Sequence, residues 1–113
     1  MSEPSVFVDP SSLPWTDTVS RGVRFKVLHH DDVSDRSSLL LRFEPGAAYA
    51  LHRHPEGEEY LVLEGSLEDG GAVRGPGTFV RHPGSSAHRL VSREGCLLFV
   101  SLPQPIEILK ADE

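Results

Sequence analysis

Residues 45–65 read PGAAYALHRHPEGEEYLVLEG, and the residue types with the most distinctive chemistry in the chain are concentrated here. His52 and His54 are separated by one residue, so on a β-strand their side chains project from the same face. Two imidazoles on one face are placed to converge on a single metal ion. The spacing therefore predicts half of a metal site on this strand.

A pair of carboxylates follows the histidines, after a Pro-Glu-Gly turn at residues 55–57. If Glu58 shares a strand face with Tyr60 and Val62, it returns beside the histidines while Glu59 points outward. Glu58 is therefore the expected carboxylate ligand and Glu59 is its rival. Tyr60 has the same parity as Glu58, so it is predicted to face inward and is a candidate catalytic residue.

His88 is the candidate third imidazole, although it lies 34 residues beyond His54 and only a folded sheet would bring it to the site. Three imidazoles and one carboxylate would bind one divalent ion, which could be Zn, Fe(II), Mn, Ni or Cu, because the preferences of these ions overlap. The run His29-His30-Asp31-Asp32 also groups histidines with acids. Adjacent residues on extended chain point to opposite sides, so a solvated polar turn is predicted there instead.

The chain of 113 residues is long enough for one domain with a single core. Its 10 glycines and 9 prolines favour a turn-rich β architecture, and several short strands between turns predict an all-β sandwich or barrel. Residues 67–72 are predicted to form a hairpin, and 96–102 is the most apolar strand. The apolar residues of the tail, Ile106, Ile108 and Leu109, are predicted to add an edge strand or to cover a partner subunit.

The formal net charge of -6 argues against nucleic acid or an anionic membrane as the main partner, since both require a basic face. Cys96 is the only cysteine, so no disulfide can form within the chain and an oxidising compartment is not implied. The first ten residues do not have the pattern of a signal peptide, and no apolar run approaches the length of about 20 residues that spans a bilayer. A cytoplasmic location is therefore expected.

Two motifs give the chain a resemblance to the cupin superfamily. Gly46, five residues, His52-x-His54, three residues, Glu58, six residues and Gly65 resemble the first cupin motif. Gly77, five residues, Pro83, four residues and His88 resemble the second, although Gly84 follows Pro83 directly and Ser92 stands where an asparagine is often found. Three segments of the chain are most similar to ChrR-type cupins: HRHPEGEEYLVLEGSLEDG, RHPGSSAH and EGCLLFV. That group includes the C-terminal domain of ChrR anti-sigma factors and proteins similar to acetylacetone-cleaving dioxygenases.

The resemblance spans residues 15–102, which leaves an N-terminal arm at 1–14 and a C-terminal tail at 103–113. It implies a small single-domain cupin, a jelly-roll β-barrel with one divalent ion near its centre. The ion would be held by His52, His54, Glu58 and His88. Homodimers are expected by resemblance alone. Either Arg81 or His82 would face the barrel interior, and Tyr49 and Arg42 are weaker candidates for its lining.

Three functions follow from the resemblance, and whether the protein is an enzyme stays open among them. The first is a metal-binding cupin whose reaction is unassigned and which can take a small-molecule ligand. The second is a metal-dependent dioxygenase acting on a small carbonyl compound such as a β-diketone, although dioxygenases similar to the acetylacetone enzyme use three histidines without a glutamate. The third is a zinc-binding sensing domain related to the C-terminal domain of ChrR.

Overall fold

The computed structural model describes residues 3–110, and within that range it is built almost entirely of β-strands, with one short 3-10 turn at Pro10–Ser12 and no α-helix. No helix long and apolar enough to cross a membrane occurs in those residues. In chain order the strands are β1 (Thr16–Asp17), β2 (Val23–His30), β3 (Ser37–Phe43), β4 (Ala47–His54), β5 (Glu58–Gly65), β6 (Leu67–Asp69), β7 (Ala72–Arg74), β8 (Phe79–His82), β9 (Ser86–Ser92), β10 (Cys96–Leu102) and β11 (Glu107–Lys110).

The strands form two antiparallel sheets that enclose the core. One sheet has six strands in the order β1-β2-β3-β10-β5-β8, and the other has five in the order β11-β4-β9-β6-β7. The predicted hairpin at residues 67–72 is confirmed, since β6 pairs with β7. The predicted all-β barrel of the jelly-roll type is therefore the observed architecture.

The most apolar strand lies in the middle of its sheet. β10 pairs with β3 on one side and with β5 on the other. Its inward residues Cys96, Leu98, Val100 and Leu102 are buried, while the residues between them are only partly buried. The composition of β10 thus reflects a position that is surrounded by other strands and faces the core.

The first long strand extends further than the sequence indicated. The prediction of a polar turn beginning at His29 was wrong, because β2 continues through His30 and pairs with β3 past a β-bulge between Val27 and His29. Both histidines are nevertheless exposed, as expected. They remain in the strand because the extra residue of the bulge preserves the pairing after the apolar alternation has ended.

The C-terminal tail forms an edge strand, one of its two predicted roles. β11 pairs with β4, and the Arg53 guanidinium donates to the Glu107 carboxylate at 3.0 Å. Between β10 and β11 the chain crosses from one sheet to the other, and its residues Pro105 and Ile106 form part of a cavity wall. The division of the chain at residues 14 and 102 stays a prediction.

A β-bulge in β4 determines which of its residues face inward. The pairing of β4 with β9 shifts between Tyr49 and His52, so both of these side chains are buried although they are three residues apart. The backbone N–H of Ala50 is freed from regular pairing and donates to the buried Ser20 hydroxyl at 2.8 Å. The segment before β2 therefore supports the bulge.

We expect Ser20→Ala to destabilise the protein by about 1–3 kcal/mol, because it leaves the buried N–H of Ala50 without its acceptor. Urea unfolding monitored by circular dichroism would measure the change. Ser5→Ala is the matched control, since Ser5 is exposed. Equal stability of the Ser20 and Ser5 variants would contradict a structural role for this hydrogen bond.

Candidate metal centre

The four side chains expected to bind metal lie together in the interior of the barrel. Each of His52, His54, Glu58 and His88 offers one ligand atom, and these atoms lie within 4.8 Å of one another. His52, His54 and Glu58 are buried, and the side chain of His88 is only 11% exposed. The cluster could therefore hold one metal ion shielded from bulk water.

Strand register brings the three histidines together. His52 on β4 lies directly opposite His88 on β9, and His54 lies two residues further along β4 on the same face. Directly opposed side chains on an antiparallel pair have Cβ atoms about 5 Å apart, which is close enough for two imidazoles to share one ion. Although His88 lies 34 positions after His54 in sequence, a single strand pairing brings the two side chains together.

The carboxylate comes from the opposite sheet. The turn at residues 55–57 carries the chain from β4 to β5, and Gly57 adopts a φ of +92° there. A Cβ at Gly57 would lie 2.7 Å from the carbonyl oxygen of His82, so the turn requires glycine for both reasons. Glu58 then points inward, whereas the Glu59 carboxylate is exposed and lies 3.9 Å from Arg81.

A hydrogen bond at Nδ1 orients each of the imidazoles of His52 and His88. His52 Nδ1 donates to the carbonyl oxygen of Ala50 at 2.7 Å, and His88 Nδ1 lies 3.1 Å from Oδ1 of Asp69. A carbonyl and an ionised carboxylate can only accept, so Nδ1 carries the proton in both rings. In the neutral rings Nε2 is then bare and directed into the cluster, as a metal ligand must be.

The bare ring nitrogens supply the physical case for a cation. Nε2 of His52 and Nε2 of His88 are 3.0 Å apart, and in the neutral rings both carry lone pairs, which cannot satisfy each other without a proton or a metal ion between them. His54 Nε2 and Glu58 Oε1 are buried without a hydrogen-bond partner among the described residues; His54 Nε2 lies 3.2 Å from Glu58 Oε2 but does not hydrogen-bond to it. Buried polar atoms left unpaired are costly. A divalent ion would satisfy all four groups, so the donor set fits a metal.

Burial keeps His52 neutral. Desolvation lowers the pKa of His52 to about 4, and the neighbouring imidazoles His88 and His54 add to the effect, against the opposing influence of the Ala50 carbonyl and Glu58. A histidine binds metal only in its deprotonated form. The lowered pKa therefore favours the deprotonated form of His52, the form that binds metal.

Asp69 is a buried carboxylate that the sequence analysis missed. Its Oδ2 accepts from the Tyr60 hydroxyl at 2.5 Å and lies 2.7 Å from His82 Nε2, while its Oδ1 bonds to His88. Burial alone would raise the pKa of Asp69, but the hydrogen bonds from His88, Tyr60 and His82 hold it well below its usual range. The carboxylate thus stays ionised and fixes the ring of His88. Its parity with Leu67, which is fully buried on the same short strand, was the available signal.

The other residues predicted to face the barrel interior are of two kinds, those that point inward and those that are exposed. Tyr60 faces inward as predicted, but its hydroxyl is bound to Asp69 and reaches His88 only through that carboxylate. Of the adjacent pair, His82 points into the barrel and Arg81 is exposed. Arg42 is also exposed, with its guanidinium 5.7 Å from the centre of the Trp15 ring.

An apolar cavity of about 310 Å³ adjoins the cluster. His52 and Glu58 form part of its wall, next to Tyr49, whose ring centre is 4.7 Å from that of His52. Burial, together with the charge of Glu58, raises the pKa of Tyr49 to about 12. Most of the remaining lining is aliphatic or aromatic, and includes Phe25, Leu39, Leu41, Leu98, Val100 and Ile106.

Comparison with known proteins agrees with the sequence motifs and the fold. A family model described as a ChrR Cupin-like domain matches residues 3–105. No curated protein sequence matches the chain.

Solved structures with this fold include enzymes and a regulator. A candidate acetylacetone dioxygenase from Methylibium petroleiphilum PM1 has a TM-score of 0.88 at 16% identity, over 97% of this chain and 84% of that one. An acetylacetone dioxygenase from Acinetobacter johnsonii has a TM-score of 0.81 at 13% identity, over 99% and 86%. A chain of the Rhodobacter sphaeroides complex of SigE with the anti-sigma ChrR has a TM-score of 0.68 at 26% identity, over 78% of this chain and 47% of that one. The likeness to the two dioxygenase structures shows a shared fold and nothing further.

The depressed pKa of His52 makes the metal-free protein sensitive to acid. Between pH 6.5, the usual pKa of histidine, and about 4, the unfolded chain binds a proton at this residue that the folded protein excludes. Stability that is present above pH 6.5 is therefore lost as the pH falls towards 4, at up to ~1.4 kcal/mol per pH unit.

Urea unfolding of metal-free protein at pH 7.5, 6.0 and 5.0 would measure this loss, with His52→Gln as the matched variant that lacks the titrating group. The variant is expected to show a shallower dependence on pH than the parent. Identical pH dependence in the two proteins would mean that His52 is not the group responsible.

Proposed function

This chain belongs to the family of ChrR cupin-like domains, and we propose that it holds one divalent metal ion on His52, His54, Glu58 and His88 and binds a small organic molecule beside that ion. The observation that carries the proposal is the pair of bare imidazole nitrogens, 3.0 Å apart and next to a buried carboxylate. Two of the four residues, His52 and Glu58, also line the apolar cavity. A ligand in the cavity would therefore meet the face of the site that these two residues form.

The chemistry of the site divides between the ion and the chain. When bound, a divalent ion supplies a Lewis acid that polarises an oxygen atom of the ligand. His52, His54 and His88 contribute neutral nitrogen donors, and Glu58 contributes one negative charge that offsets part of the charge of the ion. The largely apolar wall lowers the local dielectric constant, which strengthens the electrostatic attraction between the site and the ligand. This donor set suits Zn, Fe(II), Mn or Ni.

Glu58→Gln should lower metal affinity at least tenfold, because it removes the charged donor of the site, whereas Glu59→Gln should leave affinity unchanged because Glu59 is exposed. Both variants would be purified without added metal and examined by elemental analysis and by titration against a competing chelator. Circular dichroism would verify that each is folded. Loss of metal in the Glu59 variant alone would overturn the assignment of Glu58.

A dioxygenase acting on a β-diketone-like compound is the first specific candidate for the reaction. It is supported by an apolar cavity against the cluster and by the fold shared with an acetylacetone dioxygenase from Acinetobacter johnsonii. A β-diketone has an apolar body and two oxygen atoms, which suits this wall. Molecular oxygen would be the co-substrate and oxidant.

A zinc-binding sensing domain is the second candidate, since the chain resembles ChrR from the complex with SigE at 26% identity. The match covers 47% of that chain, so the likeness concerns one part of it. In this role a tightly held ion would stabilise the fold, and no turnover would be expected.

Metal removal tests both candidates. We expect EDTA to lower the melting temperature and one equivalent of metal to restore it, because an ion that binds only the folded state stabilises it by about 2.7 kcal/mol at one hundred times its dissociation constant.

Oxygen uptake with acetylacetone by the Fe(II)-loaded protein, lost in Glu58→Gln, would select the dioxygenase. Retained zinc with no oxygen uptake under any loading would select sensing. An unchanged melting temperature after complete metal removal would contradict a metal site in the barrel.

A further inference from the structure

An apolar row of side chains crosses the outer face of the six-stranded sheet, away from the core. Phe79 of β8 pairs with Leu61 of β5, and Leu61 pairs with Phe99 of β10. Phe99 pairs in turn with Leu40 of β3. The residues on either side of each in its strand face inward, so these four side chains face outward. Phe79 is 60% exposed, and an outer groove on this face is lined in part by Leu61, Phe79 and Phe99.

The N-terminal segment covers only the other end of this face. Leu40 pairs with Lys26 of β2, whose ammonium group donates to the carbonyl oxygen of Pro10 at 2.8 Å and lies 4.6 Å from the centre of the Trp15 ring. Lys26 is buried by this contact although it points away from the core. Residues 10–15 therefore form a raised cover over β2, whereas the outer groove lies beyond it on β10, β5 and β8.

The arm that precedes this cover has an apolar segment of its own. Residues 3–9 belong to no helix or strand and are all exposed, and Phe7, between Val6 and Val8, is 93% exposed. The three residues from Pro10 back to Phe7 reach about 10 Å, whereas β5, in the middle of the outer groove, lies about 14 Å from β2. The arm of one chain therefore falls short of its own groove.

We propose that two copies of this chain exchange N-terminal arms, each placing Val6, Phe7 and Val8 in the outer groove of the other. A twofold axis parallel to the strands, lying along the middle of this face, reverses the strand order in the second copy. The β2 side of one copy then lies over the β8 side of the other, and the same contact forms twice. The raised cover of each copy also meets the uncovered half of its partner.

The area of the exchanged contacts is sufficient for a stable dimer. A phenylalanine side chain buries about 150–250 Å², so Phe7 and Phe79 with their aliphatic neighbours remove on the order of 600 Å² from water at each arm and groove. Two such contacts reach about 1,200 Å², the lower limit for specific interfaces, whereas one contact alone would be no larger than typical crystal packing. Exchange of both arms is therefore required.

Sedimentation equilibrium of the full-length protein measures the dimer dissociation constant. Phe7→Ser and Phe79→Ser are each expected to weaken the dimer about a hundredfold, because a twofold dimer loses a contribution of about tenfold twice. The matched controls are Val33→Ser, at a position 95% exposed, and Val73→Ser, at one 63% exposed, both outside the arm and the groove. Both controls should dimerise as the parent does, and circular dichroism should show that all four variants are folded.

A mixture of the two phenylalanine variants tests the exchange itself. The Phe7→Ser chain keeps its groove and the Phe79→Ser chain keeps its arm, so a mixed dimer has one intact contact whereas each variant alone has none. The equimolar mixture is therefore expected to dimerise about tenfold more tightly than either variant alone.

The contrary outcomes are distinct. A parent protein that stays monomeric at about 100 μM overturns the exchange, as does parental affinity in Phe7→Ser or Phe79→Ser. A mixture no tighter than its separate components shows that the arm does not lie in the partner's groove. An equal loss in Val33→Ser or Val73→Ser overturns the location of the interface. Metal content is independent of all these results, so a protein that dimerises but holds no zinc overturns only the proposed metal site.

Discussion

Two imidazole nitrogens, on His52 and His88, face each other at 3.0 Å inside the barrel with their lone pairs unshared. With both rings neutral this is an unfavourable arrangement, which a metal ion bound by both nitrogens, or a proton on one of them, would relieve. The other features of the site maintain it, because Ala50 and Asp69 each accept the Nδ1 proton of one ring and so leave Nε2 bare. Folding thus stores a local electrostatic cost that metal binding would relieve, as expected of a site built for an ion.

The bulge in β4 connects this site to the N-terminal segment. The Ser20 hydroxyl accepts a hydrogen bond from the backbone N–H of Ala50. The backbone carbonyl of Ala50 accepts a hydrogen bond from Nδ1 of His52. The extra residue of the bulge also allows Tyr49 and His52 to face inward together, which a regular strand would forbid for residues three apart. The bulge therefore sets both the orientation of His52, a proposed metal ligand, and the placement of Tyr49 beside it.

The two sides of the cluster differ in polarity. On one side Asp69 joins Tyr60, His82 and His88 in a hydrogen-bonded network, and on the other an apolar cavity reaches His52 and Glu58. The network holds a charged group in place in a region of low dielectric, where its hydrogen bonds are strong. The cavity has few polar groups, so any that it does have bear directly on which ligands fit. The side with Asp69 therefore orients the proposed metal-binding side chains, and the side with the cavity is available to a small-molecule ligand.

For residues close in sequence, strand periodicity predicted which side chains share a face of the strand. The alternation of side chains placed His52, His54 and Glu58 on common faces and turned Glu59 outward, and the Gly and Pro spacing indicated an all-β barrel. Contacts between distant segments could not be predicted in this way, since periodicity carries no information about which strands pair or where a pairing slips. Asp69 meets His88 across 19 residues, and its parity with Leu67 could indicate that it faces inward but not that an imidazole is its partner. The inward turn of His82 rather than Arg81, and of Tyr49 together with His52, likewise depends on pairing and on a bulge. Local parity is a property of the backbone, whereas these contacts arise from the packing of one sheet against the other.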